Sequence, residues 1–234
     1  DIQGTDAAYK LAILATLAFH TQVRPEDVYR EGIERLASRD FRYAQELGYA
    51  IKLLAIAKAE DGAIQARVHP VFLPQDYPLA KVDGVFNAVQ VEGDLVGPLL
   101  FQGQGAGALP TASAVVADII HAAKDIRQGG PATPLPLLND SRPVRPMAEV
   151  MTRYYLRLGV ADQPGVLAQI AQILGEQQIS IASVIQKEVY EEAQTAELVI
   201  MTHQAREDAF QEALRRLALL PVVSEVGNYV RVEG

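Results

Sequence analysis

The chain has 234 residues, enough for one large domain or two ordinary ones, and 49% of them are hydrophobic, which excludes a disordered chain. Acids outnumber lysine plus arginine by 29 to 21, the net charge is −8, and no basic cluster argues for a nucleic-acid partner. With no cysteine there is no disulfide, thiol nucleophile or cysteine-based metal site, and His20, His69, His121 and His203 show no metal-ligand spacing.

The opening DIQGTDAAYK carries two acids and a lysine ahead of an apolar run. Asp6 is a good N-cap for a helix over residues 7–20. Lys10, Ile13, Leu14 and Leu17 fall near one stripe of it, and Leu11, Ala15 and Ala18 widen that stripe, so the helix is expected to be buried on several sides. The run LAILATLAFH is too short to span a bilayer, and no basic leader precedes it; the chain reads as soluble and cytoplasmic. Pro25, Glu26 and Asp27 open a short second helix, and SRDFRYAQELGY predicts a third that Gly48 ends.

AIKLLAIAKAE and AIQARVHPVFL flank Asp61–Gly62, a hairpin signal, with His69 expected at a strand end beside Pro70. GVFNAVQVEGD and GPLLFQG predict two further strands, and Pro110 opens the helix TASAVVADIIHAAKDIR. The first segment, residues 1–127, therefore reads as α+β, with helices packed on a mainly antiparallel sheet. Between Gln128 and Pro146, five prolines and two glycines forbid regular structure, so residues 128–152 read as a linker laid over a surface.

Residues 153–234 alternate cleanly. RYYLRLGVA is a strand, and DQPGVLAQIAQILGEQ a turn running into an amphipathic helix. ISIASVIQKEV and TAELVIMTH are strands around an acidic turn with Glu188, Glu191 and Glu192; REDAFQEALRRLALL is a helix and VVSEVGNYVRV a last strand. That order, βαββαβ, is the ferredoxin-like split unit.

Three places invite chemistry. On a helix, Asp6 and Lys10 lie one turn apart; they read either as a cap plus a solvated lysine, or as a site whose lysine, its stem buried, exchanges protons with a substrate. GQGAGALPTASAVVAD, with Gly103, Gly105, Ala106 and Gly107, fits the loose G-x-G-x-x-G/A pattern, but a proline-rich stretch follows where a dinucleotide fold needs a second parallel strand. A tight turn and a ligand-contacting loop are both open for it. ADQPGVLAQI holds Asp162, Gly165, Val166 and Leu167 at a strand-to-helix turn whose free N–H groups suit a carboxylate.

These blocks together resemble the homoserine dehydrogenase family. GTDAAYKLAILATLAF is similar to that family's G-x-D-A-x-x-K-L-x-I-L signature, and VDGVFNAVQVEGDLVG and GQGAGALPTASAVVADI to its later blocks, in order. The final segment resembles the ACT regulatory domain found in many bacterial members. The resemblance implies interconversion of aspartate semialdehyde and homoserine with NAD(P), in threonine and methionine biosynthesis. It implies Lys10 as the catalytic lysine, Asp1 and Asp6 as substrate-holding acids, and the Gly103–Gly107 loop beside a cofactor bound mainly by an N-terminal Rossmann domain. That domain is expected upstream, so the chain reads as a fragment, inactive alone. The resemblance further implies an amino-acid effector, threonine first, at Asp162–Leu167 between paired ACT units, and a homodimer or tetramer. The ACT helix exits through Gln177–Gln178, where many effector-binding units carry asparagine or glycine. The competing reading is a non-catalytic amino-acid-sensing or dimerisation module with Lys10 a relic.

Overall fold

The computed structural model describes residues 2–130, 142–190 and 194–234, with the side chains of 188–190 left aside. Asp1 and the acidic-turn residues 191–193 lie outside the described residues. Contacts divide the chain into two compact units, one of residues 1–74 with 138–234 and one of residues 75–137. This division departs from the boundaries expected at 127 and 152, because the first 74 residues pack with the C-terminal segment.

Helix α1 (Thr5–Phe19) starts on Gly4 in a left-handed conformation, φ 69°, so Asp6 lies inside the first turn and does not cap it. The expected helix at Pro25 is a single 3₁₀ turn (Pro25–Asp27), followed by the two-residue strand β1 (Tyr29–Arg30). Helix α2 (Ser38–Glu46) ends ahead of Gly48, φ 81°, as the sequence indicates. Asp61 and Gly62, at φ 51° and 73°, turn β2 (Tyr49–Glu60) into β3 (Ala63–Pro74), the paired left-handed residues of a type I′ hairpin.

The C-terminal segment is the expected split unit. Its strands β6 (Met151–Ala161), β7 (Ile181–Tyr190), β8 (Thr195–Thr202) and β10 (Val223–Val232) alternate with α4 (Val166–Glu176) and α5 (Glu207–Leu217), and β9 (Ala205–Arg206) adds a short rung to β6. The antiparallel order β10-β6-β8-β7 continues past β10 into β3, so one eight-stranded sheet runs through both segments. β10 meets β3 in parallel over Arg231–Val232 alone, against Val71–Phe72, with one more bond from Glu233 N to Phe72 O at 3.0 Å. β1 lies on the same edge of β3, at Arg67–Val68, and β2 covers the other.

Period-two alternation places the two faces. Tyr154, Leu156, Leu158 and Val160 bury against α4 and α5 around Ile170, Leu174, Phe210 and Leu217. Tyr155, Val199, Met201, Val230 and Phe72 bury against Tyr43 and Ala44 of α2. On β3, Ile64, Ala66 and Val68 receive Ala8, Leu11, Ala12 and Ala15 of α1, with Leu53 and Ala57 of β2 packed alongside. His69 sits in the middle of β3, fully buried, not at a strand end; Pro70 is accommodated there because the edge between β1 and β10 asks no ladder bond of it. Residues 143–145 of the expected linker lie along the start of β3: Ile64 N donates to Pro143 O at 2.9 Å and Arg145 N to Ile64 O at 2.7 Å. Residues 131–141 of it lie outside the described residues.

The second unit holds a 3₁₀ turn (Pro78–Lys81), the hairpin β4 (Phe86–Gly93) and β5 (Gly97–Gln104), and α3 (Ala108–Gln128). β4 and β5 pair with each other in a separate two-stranded sheet, which corrects the expectation of one sheet for the whole first segment. No described helix is long and apolar enough to cross a membrane.

Candidate active site

The start of α1 is held by close backbone approach. Gly4 leaves no room for a side chain, since a Cβ there would sit 2.9 Å from Val68 Cγ1, and Gly32 would meet Ile2 O at 2.6 Å. Ile33 N donates to Ile2 O at 3.0 Å, and Arg30 Nη1 donates to Thr5 Oγ1 at 2.5 Å. On this platform Lys10 Nζ stands 2.7 Å from Asp6 Oδ2, so the structure brings that pair together as the spacing predicts.

The setting of Lys10 differs from the expected one. Its side chain is 68% exposed and that of Asp6 58%, because α1 turns its small residues inward and leaves Lys10, Tyr9, Ile13, Leu14 and Leu17 outward. Among the described residues only one side of α1 is covered. An exposed pair at this spacing contributes about 0.3–0.5 kcal/mol, too little to hold the fold, so Asp6 can exchange its lysine partner for another cation at small cost. An ion pair beside an apolar stripe is suited to a small polar substrate that has both a cationic group and an oxygen to be protonated or deprotonated.

In the Gly103–Gly107 loop, structural demands account for two of the glycines. A Cβ on Gly105 would overlap the Asn87 side chain, and Gly105 N donates to Val85 O at 3.1 Å, tying the loop to the hairpin. Gly107 adopts φ 125° as the N-cap of α3, while Gly103 has open space around it. No side chain caps α3, so its first N–H groups are offered to an anionic group, and Ala106 lies in the exposed stretch just before them.

At the C-terminal turn, Gly165 is left-handed, φ 88°, and starts α4 without a side-chain cap. Asp162 is exposed, with its N bonded to Gln194 O at 2.8 Å and its Oδ1 accepting from Gln186 Nε2 at 3.4 Å. Leu167 is exposed, but Val166 is buried in the ACT-like core, so of the four expected effector residues Val166 has only backbone to offer a ligand.

Two buried charge clusters escaped the sequence reading. Arg157 Nε donates to Asp40 Oδ1 at 2.8 Å and Nη1 to Glu197 Oε2 at 3.1 Å, with Asn228 Nδ2 donating to Asp40 at 2.9 Å. Burial alone would raise the Asp40 carboxyl, but the bonds from Arg157, Ala37 N and Asn228 outweigh it and hold it low. Arg231, 1% exposed, donates to both Glu207 oxygens at 2.8 and 2.5 Å and to Glu31 Oε2 at 2.7 Å. Burial pushes the Tyr29 phenol up to about 12 even with Arg231 beside it. The signal was present as a lone arginine inside an apolar strand, in YYLRLGV and NYVRV.

The comparisons with known proteins follow this anatomy. The homoserine dehydrogenase family model matches residues 1–120 and the ACT domain model residues 154–219. The chain is 44% identical to the homoserine dehydrogenase of Neisseria gonorrhoeae over 239 residues, covering all of this chain and 54% of that protein. It is also 44% identical to that of Mycobacterium tuberculosis over 242 residues, covering all of this chain and 55% of the relative. Among solved structures, a homoserine dehydrogenase from Thiobacillus denitrificans superposes with a TM-score of 0.89 at 41% identity, over all of this chain and 54% of that one. The Staphylococcus aureus enzyme gives 0.68 at 28%, again over all of this chain and 54% of the other. The chain thus spans about half the length of the curated relatives it matches. With the family match covering the segment that carries Asp6 and Lys10, and the ACT match the split unit behind it, the chain belongs to the homoserine dehydrogenase family and ends in an ACT domain.

Proposed function

We propose that this chain is the substrate-handling and regulatory portion of a homoserine dehydrogenase that interconverts aspartate semialdehyde and homoserine. The observation that carries this reading is the Asp6–Lys10 pair, 2.7 Å apart on the open face of a helix whose start is fixed by Gly4 and Gly32. Lys10 exchanges the proton of the carbinol oxygen, and Asp6, with Asp1 ahead of it, holds the substrate ammonium. Since Asp6 and Lys10 are bound to each other only weakly, substrate displaces that contact without disturbing α1. NAD(P), when bound, supplies or accepts the hydride, and a nucleotide-binding domain outside this chain holds most of it. The loop of Gly103, Gly105, Ala106 and Gly107 approaches the cofactor, and the uncapped start of α3 suits its anionic part.

The ACT domain senses an amino acid, threonine in the first instance, at the Asp162–Leu167 turn. β3 takes only the last two residues of the β10 edge of the ACT sheet, so β7 is the edge with no β3 partner along its length, and side-by-side pairing of two ACT units uses it. The exposed apolar side chains of β4, β5 and α3, among them Leu99, Phe101, Val115 and Ile119, support a homodimer.

Two substitutions in the longer protein test the division of labour. Lys10→Ala should lower kcat by about 10²–10⁴-fold, the range for a lost general acid–base group. Asp6→Asn should act mainly on the KM for homoserine, with melting temperatures close to the parent in both. Full turnover by Lys10→Ala would overturn the reading.

A further inference from the structure

We propose that Arg231, on the last strand of the ACT domain, is a positioning residue for the substrate end of α1, acting through Glu31. This inference rests on the reading of Asp6 and Lys10 as the substrate pair. The first link is the buried guanidinium, which donates Nη1 to Glu31 Oε2 at 2.7 Å and Nε and Nη2 to Glu207, while Nη2 also reaches Tyr29 OH at 3.3 Å and that hydroxyl donates to Glu31 Oε2 at 3.1 Å. The second is backbone: Glu31 N donates to Val68 O at 2.8 Å, extending β1 by one residue on β3. The third is contact with the turn ahead of α1. Gly32 lies against Ile2 with no room for a side chain, Ile33 N bonds Ile2 O at 3.0 Å, and Arg30 bonds Thr5 at 2.5 Å. Asp6 follows immediately.

Beyond these contacts the described residues hold that turn mainly by Gly4, which is buried against Val68. Ile2 is exposed, α1 has no side-chain cap, and its first buried residue is Ala8. The backbone seam between the ACT sheet and β3 is two residues long, so side chains must carry most of the registration between the two segments. Arg231 is placed to do so: it faces α5 through Glu207, at the start of that helix, and the substrate segment through Glu31. Displacing a reacting group by about 1 Å can cost about a hundredfold in rate or binding. A charged contact two steps away from Asp6 is therefore sufficient to matter, without touching substrate.

The test uses the full-length enzyme with Glu31→Ala, Glu31→Gln, Lys58→Ala and Lys10→Ala, measuring KM for homoserine, kcat and melting temperature for each. Lys58 pairs with Glu233 at 3.2 Å on the same seam, and among the described residues no hydrogen bond or ion pair joins its side chain to residues 29–33 or to α1. The expected result is a KM raised about tenfold in Glu31→Ala and about threefold in Glu31→Gln, which keeps an acceptor for Arg231. Lys58→Ala should leave KM within about twofold. A role confined to stability would lower the melting temperature of Glu31→Ala and leave its KM at the parent value, and that result overturns the proposal. So does a rise no larger than that of Lys58→Ala. If Glu31→Ala does not fold, Glu31→Gln decides on the same criterion. Retained turnover in Lys10→Ala would defeat the underlying catalytic reading separately, whatever Glu31 does.

Discussion

At the scale of single residues, the arginines divide by what surrounds them. Arg157 is 4% exposed and holds two carboxylates of comparable burial, Asp40 and Glu197, that come from different segments of the chain. Removing it leaves Asp40 without its cation and Glu197 with the half-exposed Arg39 alone, so Arg157→Ala should destabilise the protein by about 3–5 kcal/mol. Equilibrium urea unfolding measures that loss as a lower midpoint at unchanged slope. Lys10 sits at the other extreme, in water, where its ion pair adds little to stability and is free for function. His69 is a third case. Burial first, then the positive charges of Arg231 and Arg67, drive its proton affinity well below that of a free imidazole, and its Nε2 has no hydrogen-bond partner among the described residues. The unfolded chain takes up a proton at this residue as pH falls through about 6.5 while the folded chain does not, so stability falls on acidification. The slope approaches about 1.4 kcal/mol per pH unit. Asp40, Glu207 and Glu233 are held low and lose their contributions only at more acid pH. Unfolding followed between pH 7 and 5 should therefore show this slope in the parent and lose it in His69→Gln.

At the scale of elements, what the sequence made legible follows from periodicity and turn chemistry. The Asp61–Gly62 hairpin, the Gly48 stop and the βαββαβ order were all readable, because each depends on residues within a few positions of one another. What was not readable depends on partners far away in the chain. Nothing near Asp6 says that Gly4 takes the left-handed position, since the reason is Val68 packing against it. Nothing near His69 says that β3 is covered on both edges, since β10 lies more than 150 residues later. The candidate site was legible as the Asp6–Lys10 spacing, while the arrangement that holds it, through Glu31 and Arg231, was not. The exit of α4 gives a local case with a measurable outcome. Gln178 is left-handed, φ 58°, at the position where a helix end favours glycine or asparagine. Relieving that conformation costs some unfolded-state entropy, so Gln178→Gly should be stabilising by about 0.5–1 kcal/mol, read as a higher melting temperature.

At the scale of the whole molecule, the ACT domain and the first 74 residues share one sheet and two buried charge clusters, so the ACT domain is built into the support of the segment that carries Asp6 and Lys10. On the proposed reading, an effector at the Asp162–Leu167 turn would be linked to α1 through these packed strands, and effector and substrate affinities would then be coupled reciprocally. All of this presupposes that α1 presents its outward face to substrate and that Lys10 handles the proton there. The direct measurement is single-turnover hydride transfer in the longer enzyme, with saturating homoserine and cofactor, followed by nicotinamide absorbance. The account predicts that Lys10→Ala binds homoserine within a few-fold of the parent but transfers hydride at least about a hundredfold more slowly. Transfer at the parent rate would contradict it.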